Sequence, residues 1–257
     1  MMFSEMSEVC GGRGAALEQA DNKTTVFKIL SEDSNSWSIE KEVKLPPIDI
    51  NISKDWINNS KTCFGKNINT EFSGPTIDSN IIIPKHITVG GYPDRHNDIK
   101  NLKEFGITKF VCLNDEYGKV PKCPVYDNKL EDGKFVHFPL KDMATTIDIS
   151  MIDLCRKLAI MIFEGEHLYI HCSGGHGRTG TVVGILLKLL YNWLSVDDIL
   201  NYIQYSHDQR KYFRYGCVFH TKYIWDSELK NKFDIGQVPT PQTSEQRYQI
   251  LRICNMF

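Results

Sequence analysis

The sequence has no C-x-x-C pair, no long apolar run and little net charge, and each lack removes a class of protein. Its eight cysteines, at positions 10, 63, 112, 123, 155, 172, 217 and 254, are scattered. They spell neither a disulfide framework nor a paired-thiol metal or redox motif, and a reducing compartment is expected. The longest mainly apolar stretch, Thr181 to Leu194, is interrupted by Lys188 and Asn192 and falls short of the ~20 residues that span a bilayer, so no membrane span is expected. The start, MMFSEMSEVC, lacks the basic and apolar regions of a secretory signal, and an intracellular setting, cytoplasmic or nuclear, follows as the expectation. A formal net charge of -2 argues against a broad surface for neutralising nucleic acid, which is not an expected partner. Any phosphate recognition must be local.

What is present is an ordinary soluble composition, 41% hydrophobic and 24% charged. Residues 1–80 show little sustained apolar periodicity and read as a partly irregular N-terminal extension, in which short pieces such as Thr24 to Leu30 could form a strand. The texture changes at Ile81, and residues 81–257 read as a compact domain. Strand-like segments at 87–89, 109–113, 135–140 and 167–172 alternate with helical ones at 98–105, 149–164, 179–193 and from Ser195 to about 205. This alternation predicts an α/β fold with a mostly parallel central sheet flanked by helices.

Between the strand HLYIHC and the apolar helix from Thr179 lies His171-Cys172-Ser173-Gly174-Gly175-His176-Gly177-Arg178-Thr179-Gly180. A strand feeding a glycine-rich turn into a helix N-terminus aims backbone N–H groups and the positive end of the helix dipole at one point, which is an anion site. Cys172 stands at its mouth, where those groups and Arg178 favour the thiolate. The Arg178 guanidinium can hold two phosphate oxygens at once, which a lysine cannot. A plain buried cysteine is the bland alternative, but the cysteine, three glycines and arginine at this spacing outweigh it. The loop also lacks the Gly-Lys-Ser/Thr ending of a nucleotide-binding loop.

HCSGGHGRTG resembles the H-C-x5-R-S/T signature of the protein tyrosine phosphatase superfamily, and ITVGGYPD followed by KFVCLND resembles the start of a dual-specificity domain. The resemblance covers about residues 81–256. It implies a cysteine-dependent phosphatase fold and a two-step reaction through a phosphocysteine, with no metal or other cofactor. Cys172 would be the nucleophile, Arg178 with the amides of Ser173, Gly174, Gly175, His176 and Gly177 would bind the phosphoryl group, Thr179 would assist departure of the thiolate, and His171 would orient the loop.

A general acid is then required. Asp142, after the strand FVHFPL and on a segment able to close over the site, is the first choice, matching the family's acid loop. Asp148 is the competitor, although a helix start explains it as well. Asp115 and Glu116 are weaker candidates, read as solvated loop residues. Near the C-terminus, Thr243 and Gln246 spell a helix capping box. The same segment resembles the Q-T-x-x-Q motif, which would assign the hydrolytic water to Gln242 and a secondary substrate contact to Gln246.

The uncharged Ser173 and ambiguous His176 do not advertise polyphosphate binding, and a phosphorylated protein, carrying phosphotyrosine or phosphoserine/phosphothreonine, is the expected substrate and partner. Phosphoinositide, inositol phosphate and RNA 5'-phosphate are alternatives, as is an inactive phosphate-binding module. Arg210-Lys211-Tyr212-Phe213-Arg214-Tyr215 reads as a solvated helix end beside a partly buried aromatic patch, with a grip on an acidic substrate or RNA as the second reading. Cys112 could trap an oxidised Cys172, but core filling explains it more simply.

Overall fold

A computed structural model describes residues 6–9, 13–20, 24–33, 36–53, 69–212 and 238–257. The chain divides into two compact units, Met1–Asp49 and Ile50–Phe257.

In the first unit, strands β1 (Met6–Val9), β2 (Arg13–Ala20), β3 (Thr24–Asp33) and β4 (Ser36–Lys44) form an antiparallel sheet in the order β1-β2-β3-β4. The sequence reading of a partly irregular extension with short strand-like pieces such as Thr24 to Leu30 falls short of this sheet. That piece is the first part of β3, where Thr24, Thr25, Val26, Phe27 and Ile29 are strand-favouring types. Its neighbours are rich in Ala, Glu, Ser and Lys, and their pairing runs through backbone groups that carry no side-chain signature.

The second unit is built on a five-stranded sheet in the order β5-β6-β9-β7-β8. The strands are β5 (Ser79–Ile83), β6 (Ile87–Gly90), β7 (Lys109–Asn114), β8 (Phe135–Leu140) and β9 (Leu168–His171). Only the β5–β6 pair is antiparallel, and β6, β9, β7 and β8 run parallel. The expected α/β fold with a mostly parallel sheet is therefore what the chain adopts. The parallel strands β6, β9 and β7 are almost wholly buried, as sheets covered on both faces require. Pro139 lies inside β8, where an edge position tolerates the missing donor.

Helix α1 (Asp98–Glu104) and the long 115–134 connection cover one face, where Tyr92, Leu102, Phe110, Cys112, Tyr126 and Tyr169 form a tight aromatic-rich core. Helices α2 (Asp148–Phe163), α3 (Gly177–Leu190), α4 (Val196–Asp208) and α5 (Ser244–Cys254) pack on one another, with α3 against each of the other three. Apolar residues all round α3 fit this central place: every residue of it except Lys188 is buried. Ser195 caps α4 by accepting from the Asp198 N–H, and Thr243 and Gln246 close the capping box of α5.

The registers set up the site. Gly90 and Cys112 both align with His171, so the carboxyl ends of β6 and β9 finish level while β7 runs two residues further, to Asn114. The chain leaving β9 enters a crevice at the centre of the sheet, where parallel α/β folds receive ligands. Because α3 both seats this loop and fills the helical layer, Leu186→Ala, at a fully buried position, is expected to cost about 2–5 kcal/mol, read by urea denaturation.

Candidate active site

Strand β9 ends at His171, and Cys172 opens the turn to α3 with only 3% of its surface exposed. Burial opposes a charge on its sulfur. The Arg178 charge, the hydroxyl and N–H of Thr179 and the N–H of Gly175 outweigh that cost, so the thiol ionises below its ordinary value. Gly175 is required by geometry: its φ is +73°, and a Cβ there would lie 2.2 Å from the Gly90 carbonyl oxygen.

Arg178, 1% exposed, crosses the mouth of the loop. Its Nη1 donates to Glu116 Oε2 at 2.9 Å and to the Leu140 carbonyl at 3.0 Å, and its Nη2 to Ser173 Oγ at 3.0 Å. Asp142 Oδ1 lies 2.9 Å from Nη2, and Asp115 Oδ1 4.0 Å from Nη1. The Arg178 Nε–H is buried without a hydrogen-bond partner among the described residues, a donor left over at an anion-seeking site. Burial works against the Glu116 charge, but the bond from Arg178 and the neighbouring N–H groups hold its carboxyl below the usual range.

Of Asp142 and Asp148, the structure brings Asp142 alone to this guanidinium, just past the end of β8, while the weaker candidate Asp115 stands farther off at 4.0 Å. Asp148 opens α2 and is held by α5: Arg252 Nε and Nη2 donate to its two oxygens at 2.5 and 2.6 Å, and Gln249 Nε2 donates at 3.0 Å. The Arg252 contact pulls its carboxyl below the ordinary range.

Behind the loop, His171 is fully buried against Tyr126, with 2.6 Å between the Tyr126 hydroxyl and Nε2. Its Nδ1 lies 3.4 Å from the Cys172 carbonyl, which can only accept, so the proton sits on Nδ1 and Tyr126 donates to Nε2. The structure does not present His176 as a loop surface group. It is 1% exposed, with Nδ1 2.7 Å from His207 Nε2, and His207 in turn contacts Asp208 Oδ1 at 3.1 Å. Its side chain is thus turned away from the mouth, leaving only its backbone in the cradle. Burial, with Arg210 and His176 beside it, drives the His207 pKa well down.

Gln242 and Gln246 meet the loop where α3 begins. A Cβ on Gly177 would come within 3.0 Å of Gln242 Oε1 and 2.8 Å of Gln246 Oε1. Gln246 is buried, its Oε1 accepting from the Gln242 and Thr243 N–H groups and its Nε2 donating to the Ala144 carbonyl at 3.3 Å. Helix α5 is thereby tied to the segment that carries Asp142. Gly174 is buried within the turn, and Thr179, in the first turn of α3, has its hydroxyl near Cys172.

Three residues were misread or passed over in the sequence. Glu116 was read as a solvated loop residue and is instead an Arg178 partner. Asn114, at the end of β7, donates to Ser173 Oγ at 2.7 Å and to Glu116 Oε2 at 3.2 Å. Arg210, read as part of a solvated helix end, is 2% exposed and lies under the loop, while Lys211 is exposed as expected and Tyr212, read as part of a partly buried aromatic patch, is exposed as well. Phe213, Arg214 and Tyr215 lie outside the described residues. The one available signal for Arg210 was its place directly after an amphipathic helix. Cys112 is wholly buried and pushed up to about 12 by burial, which suits core filling better than thiolate chemistry.

Residues 77–196 match the family described as "PTP-SAK: Swiss Army Knife protein, DSP-PTPase phosphatase domain". The chain is 31% identical over 126 residues to "Putative tyrosine phosphatase 067L" of Invertebrate iridescent virus 3, covering 47% of this chain and 50% of the viral one. It is 27% identical over 105 residues to "Phosphatidylglycerophosphate phosphatase PTPMT2" of Arabidopsis thaliana, covering 39% of this chain and 43% of that protein. The chain spans about half the length of the curated relatives it matches. A crystal structure of Tk-PTP in the active form superposes with a TM-score of 0.48 at 18% identity, over 70% of this chain and 98% of that one.

Asp148 gives a pH test of its place. A carboxyl held below its unfolded value adds stability above that value, about 3.9, and loses the contribution as pH falls through the lower folded pKa. Asp148→Asn should therefore lower the unfolding midpoint at pH 7, with the difference from the unaltered protein closing in strong acid. Thermal melts across pH read it.

Proposed function

We propose, on the premise that residues 77–196 are a protein tyrosine phosphatase domain of the dual-specificity type, that this chain hydrolyses phosphomonoesters through a phosphocysteine on Cys172. Phosphorylated tyrosine, serine and threonine side chains of proteins are its substrates. The observation that carries this reading is the meeting of a buried Cys172, ionised below its ordinary pKa, with a buried Arg178 that has a donor to spare.

In the first step the Cys172 thiolate attacks phosphorus in line. The sulfur–phosphorus bond forms as the phosphorus–oxygen bond to the substrate breaks, and Asp142 gives its proton to the departing oxygen. Loop N–H groups and Arg178 stabilise the equatorial oxygens. An incoming phosphate dianion competes with Asp142 for Arg178 Nη2, which frees the aspartate from its 2.9 Å contact to take up a solvent proton and pass it to the leaving group. Glu116, more enclosed, stays on Nη1 and fixes the guanidinium plane.

In the second step a water held by Gln242 attacks phosphorus and loses its proton to Asp142. Phosphate leaves, and the thiolate returns with help from the Thr179 hydroxyl. His171 keeps the strand end in place through Tyr126. Ser173, bonded to both Arg178 and Asn114, ties the loop to β7.

A phosphorylated glycerolipid is the second reading, favoured by the name of the Arabidopsis relative. Rates on phosphotyrosine and phosphothreonine peptides, phosphatidylglycerophosphate and 5'-triphosphorylated RNA decide between the readings, with the peptides expected fastest.

Cys172→Ser should abolish turnover of an aryl phosphate while retaining phosphate binding, and measurable turnover by that variant would defeat the mechanism. Asp142→Ala should slow alkyl phosphates by roughly 100-fold or more and aryl phosphates with good leaving groups far less. A larger loss from Asp148→Ala would move the acid role there.

A further inference from the structure

The carbonyls of residues 173–176 each accept a hydrogen bond from a residue outside the loop. The Ser173 carbonyl accepts from the Tyr92 N–H at 3.1 Å, and the His176 carbonyl from the Thr240 hydroxyl at 2.9 Å. The two between them belong to one side chain: Arg210 Nη1 donates to the Gly174 carbonyl and Nη2 to the Gly175 carbonyl, each at 2.9 Å. Asn80 Oδ1 accepts from Arg210 Nε at 2.7 Å, and Asn80 Nδ2 donates to Ser206 Oγ at 2.7 Å, which fixes the guanidinium plane.

A peptide unit is planar, with its C=O and N–H pointing opposite ways. Holding the carbonyl of residue 174 outward turns the N–H of Gly175 inward, and holding that of 175 does the same for His176. We propose that Arg210 is the positioning residue of the oxyanion cradle: through the Gly174 and Gly175 carbonyls it aims the N–H groups of Gly175 and His176 at Cys172 and the phosphoryl oxygens.

The Gly175 N–H already contributes to ionising Cys172. A positive charge on the carbonyl side also polarises both peptides, making each N–H a stronger donor. A neutral side chain of the same size would fill the space without that effect. Lysine could serve only one carbonyl well, since it lacks the planar fork. The other charged or titratable groups at this place are His176, whose Nδ1 is 3.5 Å from Arg210 Nη1, and His207 with Asp208. The charge of Arg178 also acts on Cys172.

The inference rests on Cys172 being the thiolate of the site, but its test does not need turnover. In the full chain, the variants Arg210→Lys, Arg210→Met and Asn80→Ser are compared by three measurements. These are the pH midpoint of iodoacetamide alkylation mapped to the Cys172 peptide, inhibition or binding by vanadate, and thermal unfolding. Arg210→Lys should move the alkylation midpoint to higher pH and weaken vanadate about tenfold, in line with loss of one charge-assisted bond. Arg210→Met should do more, and Asn80→Ser, which releases Nε alone, less in the same direction. If Arg210→Met does not fold, Arg210→Lys and Asn80→Ser decide.

A midpoint and vanadate affinity equal to those of the unaltered protein in Arg210→Lys, with only a lowered melting temperature, would overturn the proposal and leave Arg210 a packing residue. Shifted midpoints in a protein that hydrolyses no phosphomonoester would support the positioning role and instead defeat the proposed function.

Discussion

The site depends on a constraint of the peptide group: it cannot turn its N–H toward a ligand without turning its carbonyl somewhere else, and a buried carbonyl needs a donor. In the turn after β9 those donors come from β6's exit at Tyr92, from the end of α4 at Arg210 and from the approach to α5 at Thr240. Pieces of chain far apart in sequence are therefore needed before a single N–H faces inward. This explains why the ends of β6 and β9 must finish level, and why Gly175 must lie against the Gly90 carbonyl with no Cβ between them.

Such a cradle concentrates positive potential, and burying it raises the question of balance. Arg178 and Arg210 are both nearly inaccessible. An isolated buried guanidinium would be very costly, and the chain answers in two ways. Arg210 is solvated by carbonyl oxygens and the Asn80 amide, a neutral arrangement that holds it rigidly. Arg178 is met by carboxylates, Glu116 within the site and Asp142 at its exposed edge. The first arrangement suits a fixed support, and the second suits an exchangeable ligand, because a phosphate can replace one carboxylate at little net change in charge.

The sequence made the α/β alternation legible because buried parallel strands and an all-round apolar α3 leave strong hydrophobic patterns. It made the Cys172-to-Arg178 loop legible because glycine spacing is a local property. It did not reveal β1, β2 and β4, whose pairing is carried by backbone groups. It did not place Glu116 or Arg210, since a charged side chain reads as solvated unless the three-dimensional partner is known. Arg210 is 35 residues from the Gly175 carbonyl it holds, and nothing in its neighbours announces that contact. His176 was ambiguous for the same reason: its partner His207 is 31 positions away.

The orientation of the loop side chains also limits what the loop can recognise. Ser173 is taken by Arg178 and Asn114, and His176 by His207. With the glycines adding nothing beyond backbone, the turn offers a phosphoryl group N–H donors and one guanidinium, and offers the rest of the substrate nothing. Discrimination must then come from the rim, where Lys141, Asp142 and Met143 are exposed at the end of β8 and Ile147 and Ile149 stand 69% and 65% exposed at the start of α2. This rim sets Lys141 and Asp142 beside the large apolar side chains of Met143, Ile147 and Ile149, and so offers apolar contact with little added positive charge.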